Sequence, residues 1–399
     1  MTPTLLFDLD DTLLGNSMDV FIPAYLHALT VAMSDRVSPE QLVPALMAGV
    51  QAMNSNTDFR RTLKDVFDEV FYPWLGLDPV AILPAIEDFY TRVFPSLKEH
   101  TRTLPVAREM VSRLLSQGHT IAVSSNPLFP LTAIHQRLEW AGLSPDEFGF
   151  SAVTSMEISH FTKPSPSYFA EVLAGLGWPE GPIVIIGDNP INDIQPATEL
   201  GVASYRVNNG SANRNPNAPG GLLEEFEPWL AAQQPDALTP KLDSLAAVLA
   251  TMRTAHIGAS HLAAGQTPDT LSTRPAEEDW SVTEILCHFR DVDREVTIPR
   301  IDSILQSENP FIVAVNPDEW AGERNYKDED PAAVFDQWSE TRFELMTRLD
   351  SLNPTDWDRT ARHTIFGPIT LLELMRISAR HDRLHIQQIH KSLARLAPA

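Results

Sequence analysis

Apolar residues along this chain follow two rhythms. In roughly the first half, short continuous apolar runs alternate with helical stretches. Leu5-Leu6-Phe7 is the first run, Ile121-Ala122-Val123 the second, Ser151-Ala152-Val153 a weaker third, and Ile183-Val184-Ile185-Ile186 the most strand-like. Bounded by polar breaks, such runs read as buried strands. Val106 to Leu115, closed by Gly118, reads as a helix between two of them. A second begins at Ser165-Pro166, a good N-cap and first helical residue, and runs to Leu176. Strands alternating with helices predict right-handed crossovers and a three-layer α/β domain around a parallel sheet.

Residues from about 15 to 98 break this alternation. Val20, Phe21, Tyr25, Leu26 and Leu29 recur at helical spacing, as do Leu42, Leu46 and Val50, then Phe67, Val70, Phe71 and Leu75. A helical insert directly after the first strand is expected to sit over the strand ends as a cap. Asn54, Arg60 and Arg61 within it read as solvated surface.

Residues 210–240 carry the Asn, Pro and Gly of a linker, with one short helix from Leu222 to Ala232. The expected domains are therefore 1–209 and 241–399. From 241 the pattern is helix only. The four helices carry Leu242, Leu245, Val248, Leu249 and Met252; Ile285, Phe289, Val292 and Val296; Val334, Trp338, Leu345 and Leu349; and Leu374, Ile377, Leu384 and Ile389. Asp330-Pro331 opens the third, and capping boxes at Ser281/Glu284 and Thr370/Glu373 open the second and fourth. Four amphipathic helices with such starts predict an all-α four-helix bundle, whose interior can house a metal.

Chemistry enters at the predicted strand ends. Asp8 and Asp10 follow the first strand, Ser125 and Asn126 the second, Lys163 precedes a helix, and Asp188 and Asp193 follow the last. Open parallel sheets bind ligands beyond these ends. Alternation lets Asp8 and Asp10 face one way, and carboxylates held close call for a hard cation such as Mg²⁺. The competing reading is that these acids only solvate the strand ends.

In the bundle, His381 and His385 share a helical face and His288 stands on another helix, a set able to hold one cation. The competing reading is core or surface histidine. Glu284 reads as a cap before a ligand, His390 as surface, and Cys287 as buried packing.

The balance of 53 acidic against 30 basic residues, a net charge of −23, excludes nucleic acid and anionic membrane as passive partners. One cysteine excludes an intrachain disulfide framework. No apolar run approaches a membrane span and no leader-peptide pattern is read, so a soluble cytoplasmic protein is expected.

The motifs Asp8-Leu9-Asp10-Asp11-Thr12, Ser124-Ser125-Asn126, Lys163-Pro164-Ser165-Pro166 and Gly187-Asp188-Asn189-Pro190-Ile191-Asn192-Asp193 resemble, in order, the four motifs of the haloacid dehalogenase-like superfamily. The resemblance covers about 3–209 and implies a Rossmann-like domain with a helical cap acting on a small phosphorylated metabolite. It implies that Asp8 is the nucleophile of an aspartyl-phosphate mechanism and Asp10 the general acid and base. Ser125 and Asn126 would receive the phosphoryl group, and Lys163 would neutralise its charge. Asp8, Asp188 and the Asp10 carbonyl would hold Mg²⁺, with Asp193 orienting a metal-bound water. Dehalogenases of the superfamily typically lack the second acid of the first motif, so Asp10 favours phosphate over halide chemistry. Asn189 departs from the serine frequent after the metal aspartate.

The segments Trp280-Ser281-Val282-Thr283-Glu284-Ile285-Leu286-Cys287-His288-Phe289 and His381-Asp382-Arg383-Leu384-His385-Ile386-Gln387-Gln388-Ile389 resemble DinB-like metal-binding bundles, over about 241–397. That implies His288, His381 and His385 as ligands of Zn²⁺, Ni²⁺ or Fe²⁺. Two alternatives stand for this bundle: a transferase acting on a low-molecular-weight thiol, or a non-catalytic dimerisation or sensing module that would make the protein a homodimer.

Overall fold

The first apolar run becomes the middle of a sheet. In the computed structural model, which describes residues 2–208 and 219–397, the strands in chain order are β1 (Thr4–Phe7), β2 (Leu14–Gly15), β3 (Arg102–Thr103), β4 (Thr120–Val123), β5 (Ala152–Val153), β6 (Ile183–Gly187), β7 (Ala203–Val207) and β8 (Gly220–Gly221). Six of them form one parallel sheet ordered β5-β4-β1-β6-β7-β8, with Phe7 opposite both Val123 and Ile186. Leu5 and Phe7 join one apolar cluster with Val184, Ile186, Ile121 and Val123, while the intervening Leu6, Ala122 and Ile185 are buried on the opposite face. Burial on both faces is what a continuous apolar strand requires.

Helices α1 (Met18–Met33), α2 (Pro39–Asn54), α3 (Leu63–Leu75) and α4 (Pro79–Asp88) form the cap. Thr62 and Asp65 close a capping box at the start of α3, and Gly76 ends it in the left-handed conformation. The cap is entered and left through β2 and β3, which pair antiparallel and were not expected in a helical insert. Val20, placed in the apolar stripe by its spacing, is instead 54% exposed. The remaining helices of this unit are α5 (Pro105–Ser116), α6 (Leu131–Trp140), α7 (Pro166–Gly175), α8 (Gln195–Leu200) and α9 (Phe226–Ala231).

Two expectations change here. β7 was not anticipated, because Ala-Ser-Tyr-Arg-Val mixes polar and apolar residues without a run. Residues 219–240, expected as linker, are folded onto the first unit: β8 extends the sheet, and Phe226 packs edge-on to Phe7 and Tyr205. A phenylalanine with a buried site to fill outweighs the surrounding turn-forming composition. The linker residues 209–218 lie outside those described. By internal contacts the chain divides into Met1–Val172 with Glu180–Leu242, and Leu173–Pro179 with Asp243–Ala399.

The second unit is built on α10 (Leu245–Ala263), α11 (Pro268–Ser272), α12 (Val282–Val292), α13 (Ile298–Gln306), α14 (Trp320–Glu323), α15 (Pro331–Asp350) and α16 (Leu371–Leu396). A π-turn over Asp293–Thr297 joins α12 to α13, so the four long members are α10, α12–α13, α15 and α16. Both capping boxes are present, each with the hydroxyl accepting from the amide of its glutamate. The helix-only reading of this half is overturned by a three-stranded sheet of β9 (Phe311–Ile312), β10 (Thr360–His363) and β11 (Gly367–Thr370). β10 alternates exposed and buried positions over four residues, too short a stretch to stand out beside the helical pattern. The first helix starts at Leu245, after Leu242. On α16, Ile377 and Leu384 face solvent, and the buried face runs through Leu374, Met375, Ala379, Asp382, Ile386 and Ile389. The chain thus combines a three-layer α/β domain bearing a helical cap with a four-helix bundle.

Candidate active site and metal centre

Parallel pairing sets the geometry at the carboxyl end of the sheet. The Asp8 amide donates to the Ile186 carbonyl at 2.8 Å and the Ser124 amide to the Phe7 carbonyl at 2.7 Å, so three strand ends are fixed side by side. Oxygens of Asp8, Asp188 and Asp193 then lie within 4.8 Å of one another. Lys163 reaches into the same group from the loop before α7. Its Nζ donates to Asp8 Oδ1 at 2.6 Å and to Asp193 Oδ1 at 2.5 Å, with the rings of Tyr168 and Phe169 beside it. Gly187 is required at this point, since a Cβ there would meet the Asp193 carboxyl at 2.3 Å.

The electrostatics follow from burial. Loss of hydration raises Asp8 well above the usual carboxylate range against the opposing pull of Lys163, and it raises Asp188 to about 7. Lys163 is raised by Asp193 and Asp8, which outweigh its own desolvation, so it stays charged. Three acids facing one ammonium leave a deficit of positive charge. An all-oxygen site with that deficit fits a hard divalent cation such as Mg²⁺. Arg206 Nε donates to the Asp188 carbonyl at 3.1 Å, and the Asn189 side chain caps the following turn by accepting from the amides of Ile191 and Asn192.

Asp10 lines the same cavity as Asp8, beyond the end of the strand. The strand ends at Phe7 and the chain turns at Asp11, which takes a left-handed φ of 53°, so alternation no longer applies. The Asp10 side chain lies outside the Asp8–Asp188–Asp193 group. Its two oxygens accept from Arg137 Nη1 at 2.6 Å and Asn16 Nδ2 at 2.7 Å. Arg137 lies on α6 and is 1% exposed. Sequence reading missed it because an arginine in an amphipathic helix looks like surface; the one available signal is its place between Ile134 and Leu138, both fully buried.

Ser125 is buried, and its carbonyl accepts from Tyr168 Oη at 2.7 Å and Thr154 Oγ1 at 2.8 Å. It is not part of the cavity wall around the acids. Asn126 is, and its Oδ1 accepts from the Lys163 amide at 3.2 Å, joining the second and third motifs.

The bundle brings together the three histidines singled out by spacing. Nitrogens of His288, His381 and His385 lie within 4.8 Å of one another, with the Nε2 atoms of His288 and His381 at 2.8 Å. Burial lowers His288 to about 2 and His385 to about 4, so both imidazoles are neutral and present lone pairs. His288 Nδ1 is buried without a hydrogen-bond partner, while His385 Nδ1 is held by Gln388 at 2.8 Å. Trp280 lies parallel to the His385 ring with centroids 6.0 Å apart. Neutral nitrogen donors in a largely aromatic setting suit Zn²⁺, Ni²⁺ or Fe²⁺. Glu284 takes no part: it accepts from the Ser281 amide and pairs with Arg274. Cys287 is fully buried and its thiol is pushed up by desolvation, which leaves it inert.

Comparison with known proteins gives two families. The model of the haloacid dehalogenase-like hydrolases matches residues 2–201, and a HAD-hydrolase-like model matches 160–245. The DinB superfamily model matches residues 253–389. YuaE, an uncharacterized protein of Bacillus subtilis, is 25% identical over 138 residues, 31% of this chain and 84% of that protein. Among solved structures, a HAD phosphatase from Thermococcus onnurineus is 18% identical with a TM-score of 0.39, covering 58% of this chain and 99% of its own. YfiT from Bacillus subtilis, titled a probable metal-dependent hydrolase with an unusual four-helix bundle topology, is 20% identical with a TM-score of 0.34, covering 37% of this chain and 85% of its own.

Proposed function

Since the chain belongs to the haloacid dehalogenase-like hydrolases over residues 2–201 and carries a DinB-superfamily bundle after them, we propose that it is a Mg²⁺-dependent phosphohydrolase acting on a small phosphorylated molecule. The observation carrying this reading is the convergence of Asp8, Asp188 and Asp193 around the Lys163 ammonium.

The Asp8 carboxylate attacks phosphorus in line. A bond forms between its oxygen and phosphorus as the bond to the leaving alcohol breaks, giving an aspartyl-phosphate. Asp10 gives the departing alkoxide its proton, then takes one from the water that attacks the same phosphorus and releases phosphate and Asp8. To act as acid, Asp10 gives up one of its contacts to Arg137 and Asn16. Lys163, Ser125 and Asn126 receive phosphoryl oxygens, and Asp193 holds Lys163 in place. A divalent cation held by Asp8 and Asp188 would supply the charge screening that lets one anion approach another. Asp10 keeps phosphate rather than halide as the leaving chemistry.

For the bundle, His288, His381 and His385 are read as ligands of one Zn²⁺, Ni²⁺ or Fe²⁺ ion. The test of the main reading is turnover of p-nitrophenyl phosphate with Mg²⁺, abolished by EDTA and by Asp8→Asn. Equal turnover by the Asp8→Asn protein would sink it.

A further inference from the structure

The cavity beside Asp8 and a chamber within the cap share Leu128 and one helix as walls. Met18 and Ile22 of α1 line the cavity, and Tyr25, Leu29 and Met33 of the same helix line the chamber, of about 300 Å³. Positions 18, 22, 25, 29 and 33 step by four, three, four and four, which is one stripe of one helix. Leu128, in the loop after β4, borders both spaces, and Phe129 of the first cavity packs edge-on to Tyr25 of the second with ring centroids 5.3 Å apart. The outer wall includes Leu46, Phe67 and Ile86 from α2, α3 and α4. This volume is roughly twice the ~150 Å³ apolar cavity that admits benzene. A two-ring or branched alkyl body matches it.

Charge narrows the choice further. Asp8, Asp10, Asp11, Asp19, Asp188 and Asp193 face the first cavity, against Lys163 and Arg137 alone. Lys163 is paired with Asp8 and Asp193, and Arg137 with Asp10. In the chamber Lys64 is paired with Asp68, and the other acidic side chains on its wall are Glu87 and Glu157. In the first cavity Arg137 pairs with Asp10 through Nη1 while its Nε and Nη2 have no hydrogen-bond partner, but six carboxyl groups on this wall still face two cations. A carboxylate or second phosphate on the substrate would be desolvated among that surplus of acids, which is unfavourable.

We propose that the substrate is a phosphomonoester of an apolar alcohol, aromatic or branched alkyl, carrying no second anionic group, with its body seated in the cap chamber along α1. This rests on the phosphohydrolase reading above. The test compares three substrates on the full chain with Mg²⁺: 1-naphthyl phosphate, phosphoglycolate, and acetyl phosphate, which has neither an apolar body nor a second charge. The expected kcat/KM for 1-naphthyl phosphate exceeds that for phosphoglycolate about 100-fold. In Leu46→Trp, which narrows the chamber, the ratio of 1-naphthyl to acetyl phosphate kcat/KM falls about tenfold. In Asp19→Lys, which sets a cation at the exposed lip, the phosphoglycolate to 1-naphthyl ratio rises at least about fivefold. Turnover of acetyl phosphate with phosphoglycolate equal to or above 1-naphthyl phosphate overturns the substrate class and leaves the hydrolase reading standing. Unmoved ratios in both variants also overturn the substrate class. No Asp8-dependent turnover of any of the three overturns both.

Discussion

Replacing Lys163 by methionine keeps the bulk of the side chain and removes only its charge. In the wild type that charge sits 2.6 Å from Asp8 and 2.5 Å from Asp193, with all three side chains nearly or fully shielded from water. Taking one partner out of such a group costs roughly 3–5 kcal/mol, because two buried carboxylates are left uncompensated. For a unit of this size each kcal/mol is worth about 2–4 °C, so the midpoint of its thermal transition should fall by about 6–20 °C. The deficit must also depend on pH. In the variant the folded state holds the Asp8 carboxyl, already raised by burial, protonated to higher pH than the unfolded chain does. Between the unfolded and folded pKa values it binds more protons, so stability is lost as pH rises. The gap from wild type should widen from acidic to mildly alkaline pH, and millimolar Mg²⁺ should narrow it by restoring positive charge near Asp8. Near-ultraviolet circular dichroism melts of both proteins, at three pH values with and without Mg²⁺, measure all of this. A fall below about 3 °C, or a gap indifferent to pH, would refute the reasoning.

Three further outcomes are expected. Asp188 is raised to about 7 by burial, so binding Mg²⁺ below neutrality displaces a proton; calorimetric affinity should weaken by up to about tenfold per pH unit below 7, a slope that Asp188→Asn should flatten. His288→Ala removes one of three imidazoles and should lower zinc retained after dialysis at least about tenfold, as read by elemental analysis. Cys287, fully buried with a raised pKa, should react with a thiol reagent only as fast as the bundle opens, so native and urea-unfolded protein should differ by orders of magnitude in rate.

What could be read from residues alone depended on how local the signal was. Leu5-Leu6-Phe7 and Ile183-Val184-Ile185-Ile186 announce buried strands because burial on both faces tolerates no polar position. β7 hides because Ser204 and Arg206 interrupt it, and Arg206 has work to do at the Asp188 carbonyl. The acids at 8 and 188 could be singled out because strand ends locate ligand sites. Asp10 could not be oriented, since its direction depends on a turn at Asp11 and on an arginine 127 residues away. In the bundle, caps at Ser281 and Thr370 depend on three-residue spacing and were legible. Ile377 and Leu384 misled because apolar residues at helical spacing need not face the core, and only packing identifies the buried side.

The central position of β1 constrains how the protein is made. Its neighbours β4 and β6 are completed only when residues 123 and 187 have been added. At about 5–20 residues per second, the span from Phe7 to Ile186 takes the ribosome roughly 10–40 s. For that interval the apolar segment Thr4–Phe7 emerges with no strand on one of its two sides. That interval leaves an apolar segment open to a holdase chaperone until β6 is made, and the strand order sets its length.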